Sequence, residues 1–125
     1  MKNIKRYYTL CAEPGDVYNA LTNQQMLEIW TGENALMEPV PDTEFSLWNG
    51  AITGMNIEFE KNKKIVQQWY FEDQNEASVV TLLLHPYKKG TSVELNHTNI
   101  PDEAFENIST GWDEDYFDAL KELFI

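Results

Sequence analysis

The chain has 125 residues, with 21 acidic and 9 basic side chains, 42% hydrophobic residues and a formal net charge of −12. This length predicts a single domain, residues 1–125, that can bury a core without disulfides. Such an acidic chain lacks the basic face that nucleic acid or an anionic membrane requires, so neither is an expected partner. We expect no signal peptide or membrane span, and the single cysteine fits a reducing compartment, which together indicate a cytoplasmic protein.

The N-terminal part of the chain predicts one strand and two short helices. Residues 2–12 alternate between two faces, as in a half-buried strand. Cys11 lies in the apolar run at its end and is expected to be a small buried side chain. Pro14 suits the first turn of a helix, and Asn23 suits the N-cap of a second helix that ends near Gly32.

A series of short β-like runs follows, separated by turn residues. These runs are Ala35–Pro39, Glu44–Trp48, Ala51–Glu60, Lys64–Phe71, Ala77–His85 and Thr91–Asn99. Asn49-Gly50 predicts a type I′ hairpin turn, and a further turn is predicted at Asp73-Gln74-Asn75. Because the connections are short, consecutive strands are expected to pair antiparallel.

The register of these strands is partly open. The length of the loop at Lys61–Lys64 decides which side chains face inward, because a slip of one residue moves every side chain of a strand to the other face. The two alternatives are Met55, Ile57 and Phe59, or Trp69 and Phe71. If the runs Ala77–His85 and Thr91–Asn99 form a hairpin, the residue numbers of each facing pair add up to about 176. His85 and His97 then lie roughly 20 Å apart, which excludes a shared metal.

The C-terminal part predicts a long amphipathic helix that could reach Phe124, about 36 Å if unbroken. Its apolar residues form one stripe: Ala104, Phe105, Ile108, Trp112, Tyr116, Ala119, Leu120 and Leu123. Gly111 weakens the helix by about 1 kcal/mol relative to Ala and marks either a kink or a close approach. From Pro101 onward there are 8 acidic residues and 1 basic residue, which form either a solvated face or a surface that steers a basic partner.

The order of elements predicts an α+β fold. A curved antiparallel sheet of about six to seven strands is expected to wrap the long C-terminal helix, because that helix has one apolar stripe to bury. Two short helices follow the first strand. This arrangement tends to leave a cavity between the sheet and the helix.

Several motifs occur in order over essentially the whole chain. They are Leu21-Thr22 through Trp30, F-x-L-W-x-G from Phe45 to Gly50, Gly54, Lys64-Ile65-Val66 with Trp69, Gly90-Thr91 through Leu95, Ile100-Pro101, Gly111-Trp112 and Tyr116-Phe117. Together they resemble the C-terminal domain of activators of the 90-kDa heat-shock-protein ATPase, within the START-like, birch-pollen-allergen-like superfamily. The resemblance implies a helix-grip fold.

The resemblance implies two kinds of function. Eukaryotic activators carry a separate N-terminal domain with much of the chaperone contact, whereas this chain begins with the first strand of the later domain. Members of the wider superfamily hold apolar ligands in the cavity, and a few are enzymes such as cyclases.

The residues themselves show no complete catalytic or metal-binding constellation. Glu58 and Glu94 are the only mid-strand carboxylates, and both are expected to face solvent. His97 alternates with Val93 and Leu95, so it is either a core histidine or a polar group that orients a ligand. We therefore predict no catalytic residue, no metal and no cofactor.

The large aromatic residues are either plain core or the lining of a ligand cavity, because buried Trp and Tyr need partners for their polar tips. The candidate lining residues are Trp30, Met37, Phe45, Trp69, His97, Trp112 and Tyr116. The main hypothesis is a non-enzymatic domain, monomeric or weakly dimeric, that binds a small hydrophobic or amphipathic ligand. The alternative is a co-chaperone-like protein that contacts a 90-kDa heat-shock chaperone or another protein, and a cyclase or hydrolase ranks last.

Overall fold

A computed structural model describes residues 1–72 and 74–125 of the chain. The elements before the C-terminal helix are β1 Lys2–Leu10, α1 Pro14–Thr22, α2 Gln24–Thr31, β2 Thr43–Leu47, β3 Ile52–Glu60, β4 Lys64–Trp69, β5 Ser78–Tyr87 and β6 Gly90–Ile100. The C-terminal helix then comprises a 3-10 turn Asp102–Ala104, α3 Phe105–Gly111, a π-helical segment Trp112–Phe117 and α4 Asp118–Leu123. The predicted α+β class is confirmed.

The six strands form one antiparallel sheet in the order β1-β6-β5-β4-β3-β2. Strands β2 to β6 each pair with their neighbour in the chain, as their short connections predict. The first strand instead pairs with the last, Leu10 opposite Thr91. The C-terminal helix buries Trp112, Tyr116, Phe117 and Leu120 in the same core as the inward face of the sheet. This is the predicted helix-grip arrangement.

The short helices and their ends agree with the sequence. Pro14 occupies the first turn of α1, and the Asn23 side chain accepts a hydrogen bond from the Met26 N–H at 2.9 Å. Gly32 ends α2 with a φ of 76°, a backbone conformation that glycine adopts without strain. Cys11 differs from the prediction: it is exposed, because β1 ends at Leu10 and the chain leaves the sheet.

The predicted strand Ala35–Pro39 is wrong. This segment makes one isolated bridge, in which the N–H groups of Leu36 and Ser46 each donate to the other residue's carbonyl at 2.9 and 3.0 Å. Pro39 and Pro41 have no N–H to donate, so a longer ladder cannot form here. The segment nevertheless covers part of the outer edge of β2.

A β-bulge resolves the open register of β3 and β4. Asn56 lies opposite Gln67 and Glu58 lies opposite Val66, so Ile57 is the extra residue in β3. The bulge returns Phe59 to the core side, while Trp69 on β4 is buried as well. Trp69 and Phe71 thus face the core, as the second alternative has it, whereas Met55 and the exposed Ile57 do not, and Phe59 reaches the core only through the bulge.

Both predicted hairpins are present. In the turn after β2, the Ala51 N–H donates to the Trp48 carbonyl, and Asn49 and Gly50 have φ values of 54° and 93°, the signs a type I′ turn requires. In the β5–β6 hairpin, His97 lies opposite Val80, one position from the expected partner. The predicted turn at Asp73-Gln74-Asn75 includes Asp73, which lies outside the described residues.

The C-terminal helix changes its hydrogen-bond spacing in the middle. In an α-helix with 3.6 residues per turn, residues five apart point in different directions, whereas a π-helical turn brings them closer to one face. The π-helical segment thereby buries Phe117 beside Trp112 and Tyr116. Within residues 1–72 and 74–125, none of the helices combines the length and the apolar character needed to cross a membrane.

Candidate functional site

The interior of the sheet contains a hydrogen-bonded chain that begins at the C-terminal helix. The Trp112 indole N–H donates to His97 Nδ1 at 3.0 Å, and His97 Nε2 lies 2.8 Å from the Ser78 hydroxyl. Because an indole can only donate, Nδ1 is the acceptor and the proton of the neutral ring is on Nε2. The Ser78 hydroxyl donates a hydrogen bond to the Thr98 carbonyl at 3.0 Å. Burial lowers the pKa of His97 to about 4, so the ring is neutral near pH 7.

A second buried chain starts at the neighbouring indole. The Trp69 N–H donates to Gln67 Oε1 at 3.2 Å, and the Gln67 amide donates to Asn56 Oδ1 at 3.1 Å. The Asn56 amide then reaches the Glu38 carbonyl and the Thr43 hydroxyl, both at 3.2 Å. The N–H groups of Trp69 and Trp112 therefore have protein acceptors.

The indole rings at which these two hydrogen-bonded series begin lie against each other beneath a surface groove. Trp69 and Trp112 stack with ring centroids 4.8 Å apart and an interplanar angle of 22°. Above them, the β2–β3 turn and the C-terminal helix enclose a groove of about 470 Å³, which we call the Trp48 groove. Its lining comprises Trp48, Ala51, Ile52, Trp69, Asn107, Ile108, Gly111, Trp112, Asp115 and Tyr116.

Trp48 forms the outer wall of this groove. Its ring meets Trp30 edge-on, with the centroids 5.8 Å apart, and meets Tyr116 at the same distance. Its φ of 50° is a left-handed conformation that costs a bulky residue about 1–2 kcal/mol. The half-buried indole is thus held in place by tertiary packing rather than by local backbone preference.

The groove has one ionisable carboxylate, that of Asp115, and none of its ten lining residues is Lys, Arg or His. Tyr116 also lines it, and burial raises the pKa of that hydroxyl, so the phenol is neutral. Arg6 on β1 contacts the C-terminal helix. Its guanidinium lies 3.1 Å from Asp113 and donates to the Ser109 carbonyl at 2.7 Å, which ties it to the helix from β1.

The seven candidate lining residues do not form one site. Trp69, Trp112 and Tyr116 line the Trp48 groove. Trp30 packs behind Trp48, and its N–H donates to the Ala20 carbonyl at 2.9 Å. The other three are buried: His97 in the chain to Ser78, Met37 against the Asn56 amide, and Phe45 beneath Gly54. The role of these seven residues in binding a ligand stays a prediction.

Sequence reasoning missed several residues that shape this region. Gln67 and Asn56 lie on the inward face of their strands, and Gln67 alternates with Ile65 and Trp69, which is a readable signal of a buried amide. Ser78 alternates in the same way with Val80 and Leu82, but its partner His97 lies in another strand and could not be read from that pattern. Trp48 is part of the F-x-L-W-x-G motif, but its position on the groove follows only from the turn between β2 and β3.

The polar groups outside the core form ordinary surface pairs. His85 is exposed and lies 3.5 Å from Glu94, on the face of the sheet opposite to His97. Glu58 pairs with Lys64 at 2.7 Å. Across the part of the chain that the structure describes, no three His, Cys, Asp or Glu side chains are grouped so as to hold a metal ion.

Comparisons with known proteins agree on one family. The family model for "Activator of Hsp90 ATPase homolog 1-like protein" matches residues 11–124. A curated relative from Dictyostelium discoideum, "Activator of 90 kDa heat shock protein ATPase homolog", is 29% identical over 98% of this chain and 33% of its own length. The human homolog 1 is 26% identical over 93% of this chain and 35% of its own length. The chain thus spans about a third of the length of these curated relatives.

A solved structure gives the same result. The crystal structure of an HSP90 activator from Plasmodium falciparum is 27% identical, covers 98% of this chain and 96% of its own, and superposes with a TM-score of 0.88. Both the motifs and the helix-grip fold therefore point to the same relatives. The chain belongs to the family of Activator of Hsp90 ATPase homolog 1-like proteins.

Proposed function

We propose that this chain binds a 90-kDa heat-shock chaperone through its surface and raises the rate of the chaperone's ATPase. The supporting observation is the family match over residues 11–124, together with a fold shared at a TM-score of 0.88 with an HSP90 activator. The large indoles in the core have protein partners, so a surface function needs no ligand to complete the fold.

The acidic outer side of the C-terminal helix is the surface we assign to this contact. Glu114 and Glu122 are exposed on it, and no basic side chain other than Lys121 lies between residues 101 and 125. A surface with charge of one sign speeds the encounter with a partner of opposite charge and makes binding depend on salt.

The test measures ATP turnover by a purified 90-kDa heat-shock chaperone with and without this chain. A specific inhibitor of the chaperone's ATP site provides the background rate. We expect the chain to raise the inhibitor-sensitive rate, and the double variant Glu114→Lys/Glu122→Lys to lose most of that effect. Glu33→Lys/Glu44→Lys has the same net charge and changes exposed residues elsewhere, so it should retain the effect. An unchanged ATPase rate together with no binding by calorimetry contradicts the proposal.

A second candidate function is the binding of a small apolar molecule in the Trp48 groove. Four aromatic rings line it, and its volume of about 470 Å³ lies in the range of ligand pockets. Quenching of Trp fluorescence by an apolar probe, with amide shifts confined to groove residues, would support it. Shifts spread over the whole surface would contradict it.

A further inference from the structure

We propose that the Trp48 groove selects a small organic cation with an apolar body over a neutral or anionic molecule of the same shape. The inference rests on the second candidate function above and adds the charge of the ligand. It makes no use of the chaperone contact. Three features of the groove carry it: the sign of its charge, its aromatic wall and its size.

The groove offers charge of one sign only. Asp115 brings a carboxylate to its rim and Asn107 an amide, while the remaining lining residues are uncharged. Arg6 is held on the β1 side by Asp113 and Ser109, and Lys121 lies over the Tyr8 ring, so both cations are engaged away from the groove lining. A bound anion would lose water without gaining a charged partner, whereas a bound cation gains the Asp115 carboxylate.

The aromatic wall favours the same sign. An indole attracts a cation placed over its ring more strongly than a phenyl or phenol ring does. Trp48 is the half-buried ring of the groove, and its contacts with Trp30 and Tyr116 hold it in position. The left-handed φ of Trp48 shows that the fold maintains this placement against a local backbone cost. Trp48 and Asp115 therefore supply a ring and a carboxylate on the lining of one groove.

The size of the groove limits the apolar body. A volume of about 470 Å³ accommodates one aromatic ring with a short alkyl chain, and it is at the small end of ligand pockets. Ile52 and Ile108 provide aliphatic contacts for such a body. The chemical class is thus a phenylalkyl or similar ammonium ion.

The experiment compares three probes that share a 3-phenylpropyl body and carry small polar heads: 3-phenylpropylammonium, 3-phenylpropanol and 4-phenylbutanoate. Each is titrated into the full chain while amide shifts of Ala51, Ile52, Ile108 and Gly111 are followed by NMR. We expect the cation to bind about tenfold more tightly than the anion, with the alcohol between them. Equal affinities, or tighter binding of the anion, would overturn the proposal.

Variants then locate the charge preference. Asp115→Asn removes the carboxylate at an exposed helix position and should reduce the cation-to-alcohol affinity ratio at least about threefold, with little change for the alcohol. Asp118→Asn makes the same change on the same helix outside the groove lining and should leave the ratio unchanged. An equal reduction by both variants would attribute the preference to net charge and overturn the assignment to the groove.

The outcomes separate this inference from the function on which it rests. If the alcohol and the cation bind equally well in the groove, ligand binding stands and the charge preference is wrong. If none of the three probes shifts the groove amides, both are wrong. The chaperone proposal is judged by ATP turnover and by calorimetry with the chaperone, and it is independent of either result.

Discussion

His97 shows how single side chains are constrained in this core. Its Nδ1 accepts from Trp112, and its Nε2 lies against Ser78, so both ring nitrogens have partners only in the neutral form. A second proton on Nδ1 would displace the indole N–H and place a charge in a buried site. The hydrogen bonds thus favour the neutral ring, and burial lowers the pKa of His97 to about 4.

The depressed pKa of His97 predicts a loss of stability in mild acid. Between its ordinary value of 6.5 and about 4, the unfolded chain binds a proton that the folded chain does not. The free energy of unfolding contributed by this residue is therefore fully present above pH 6.5. It should fall by about 2 kcal/mol between pH 7 and pH 5, as measured by urea denaturation.

The variant His97→Gln provides the control for this prediction. Glutamine keeps polar atoms near Trp112 and Ser78 but does not titrate. The carboxylates titrate in both proteins, so the difference between the two pH profiles isolates His97. Parallel profiles would show that His97 does not cause the loss.

The surroundings of Gly54 in β3 leave no space for a side chain. A Cβ there would lie 2.0 Å from the Gln68 carbonyl oxygen and 2.7 Å from the Phe45 ring, and neither atom can move freely. We expect Gly54→Ala to lower the free energy of unfolding by about 2–3 kcal/mol in urea denaturation. Gly15→Ala is the matched control, since its nearest contacts are at 3.6 Å, and it should be neutral or slightly stabilising. Equal effects of the two changes would refute the steric explanation.

At the scale of elements, the C-terminal helix departs from its sequence pattern. A period of 3.6 predicted the stripe through Trp112 and Tyr116, but it excluded Phe117. The structure buries Phe117 completely and stacks it on Tyr8, with ring centroids 3.8 Å apart. The π-helical segment makes this possible, because its wider turn brings three large rings to one side. Gly111 is the last residue of α3 and immediately precedes the π-helical segment.

The helical position of Gly111 predicts that alanine is tolerated. Its φ of −61° is helical, and a Cβ would meet the Asp115 carboxylate at 3.5 Å, an ordinary contact. Gly111→Ala should therefore raise the free energy of unfolding by about 0.5–1 kcal/mol, seen as a higher Tm. The reverse change Ala119→Gly in α4 should lower the Tm by a similar amount. A lower Tm for Gly111→Ala would show that the π-helical segment requires glycine.

At the scale of the whole molecule, the net charge of −12 acts on the folded state. Like charges repel more strongly when the chain is compact, and salt screens them over about 10 Å at 0.1 M. We expect the Tm to rise by a few degrees between low salt and about 0.5 M salt. Sodium and potassium chloride should give the same rise if screening is the cause. An unchanged or lower Tm would contradict this account.

The types of the elements could be read from the sequence because they depend on near neighbours in the chain. The strand segments β2 to β6, the cap at Asn23 and the end of α2 at Gly32 are read from local patterns, and the structure confirms them. The segment Ala35–Pro39 was misread because its apolar residues resembled a strand, while Pro39 and Pro41 prevented a ladder. Cys11 was misread because the run of apolar residues continues past the last paired residue of β1.

The class of the fold, the antiparallel order of neighbouring strands and the family can be read from the amino-acid sequence, because motifs and periodicity are properties of the chain alone. The bulge at Ile57, the π-helical turn and the partner of each buried indole are visible only in the folded molecule. The same holds for the position of Trp48 beside Asp115 on one groove. These features depend on contacts between residues far apart in sequence, and packing against those partners outweighs local preference.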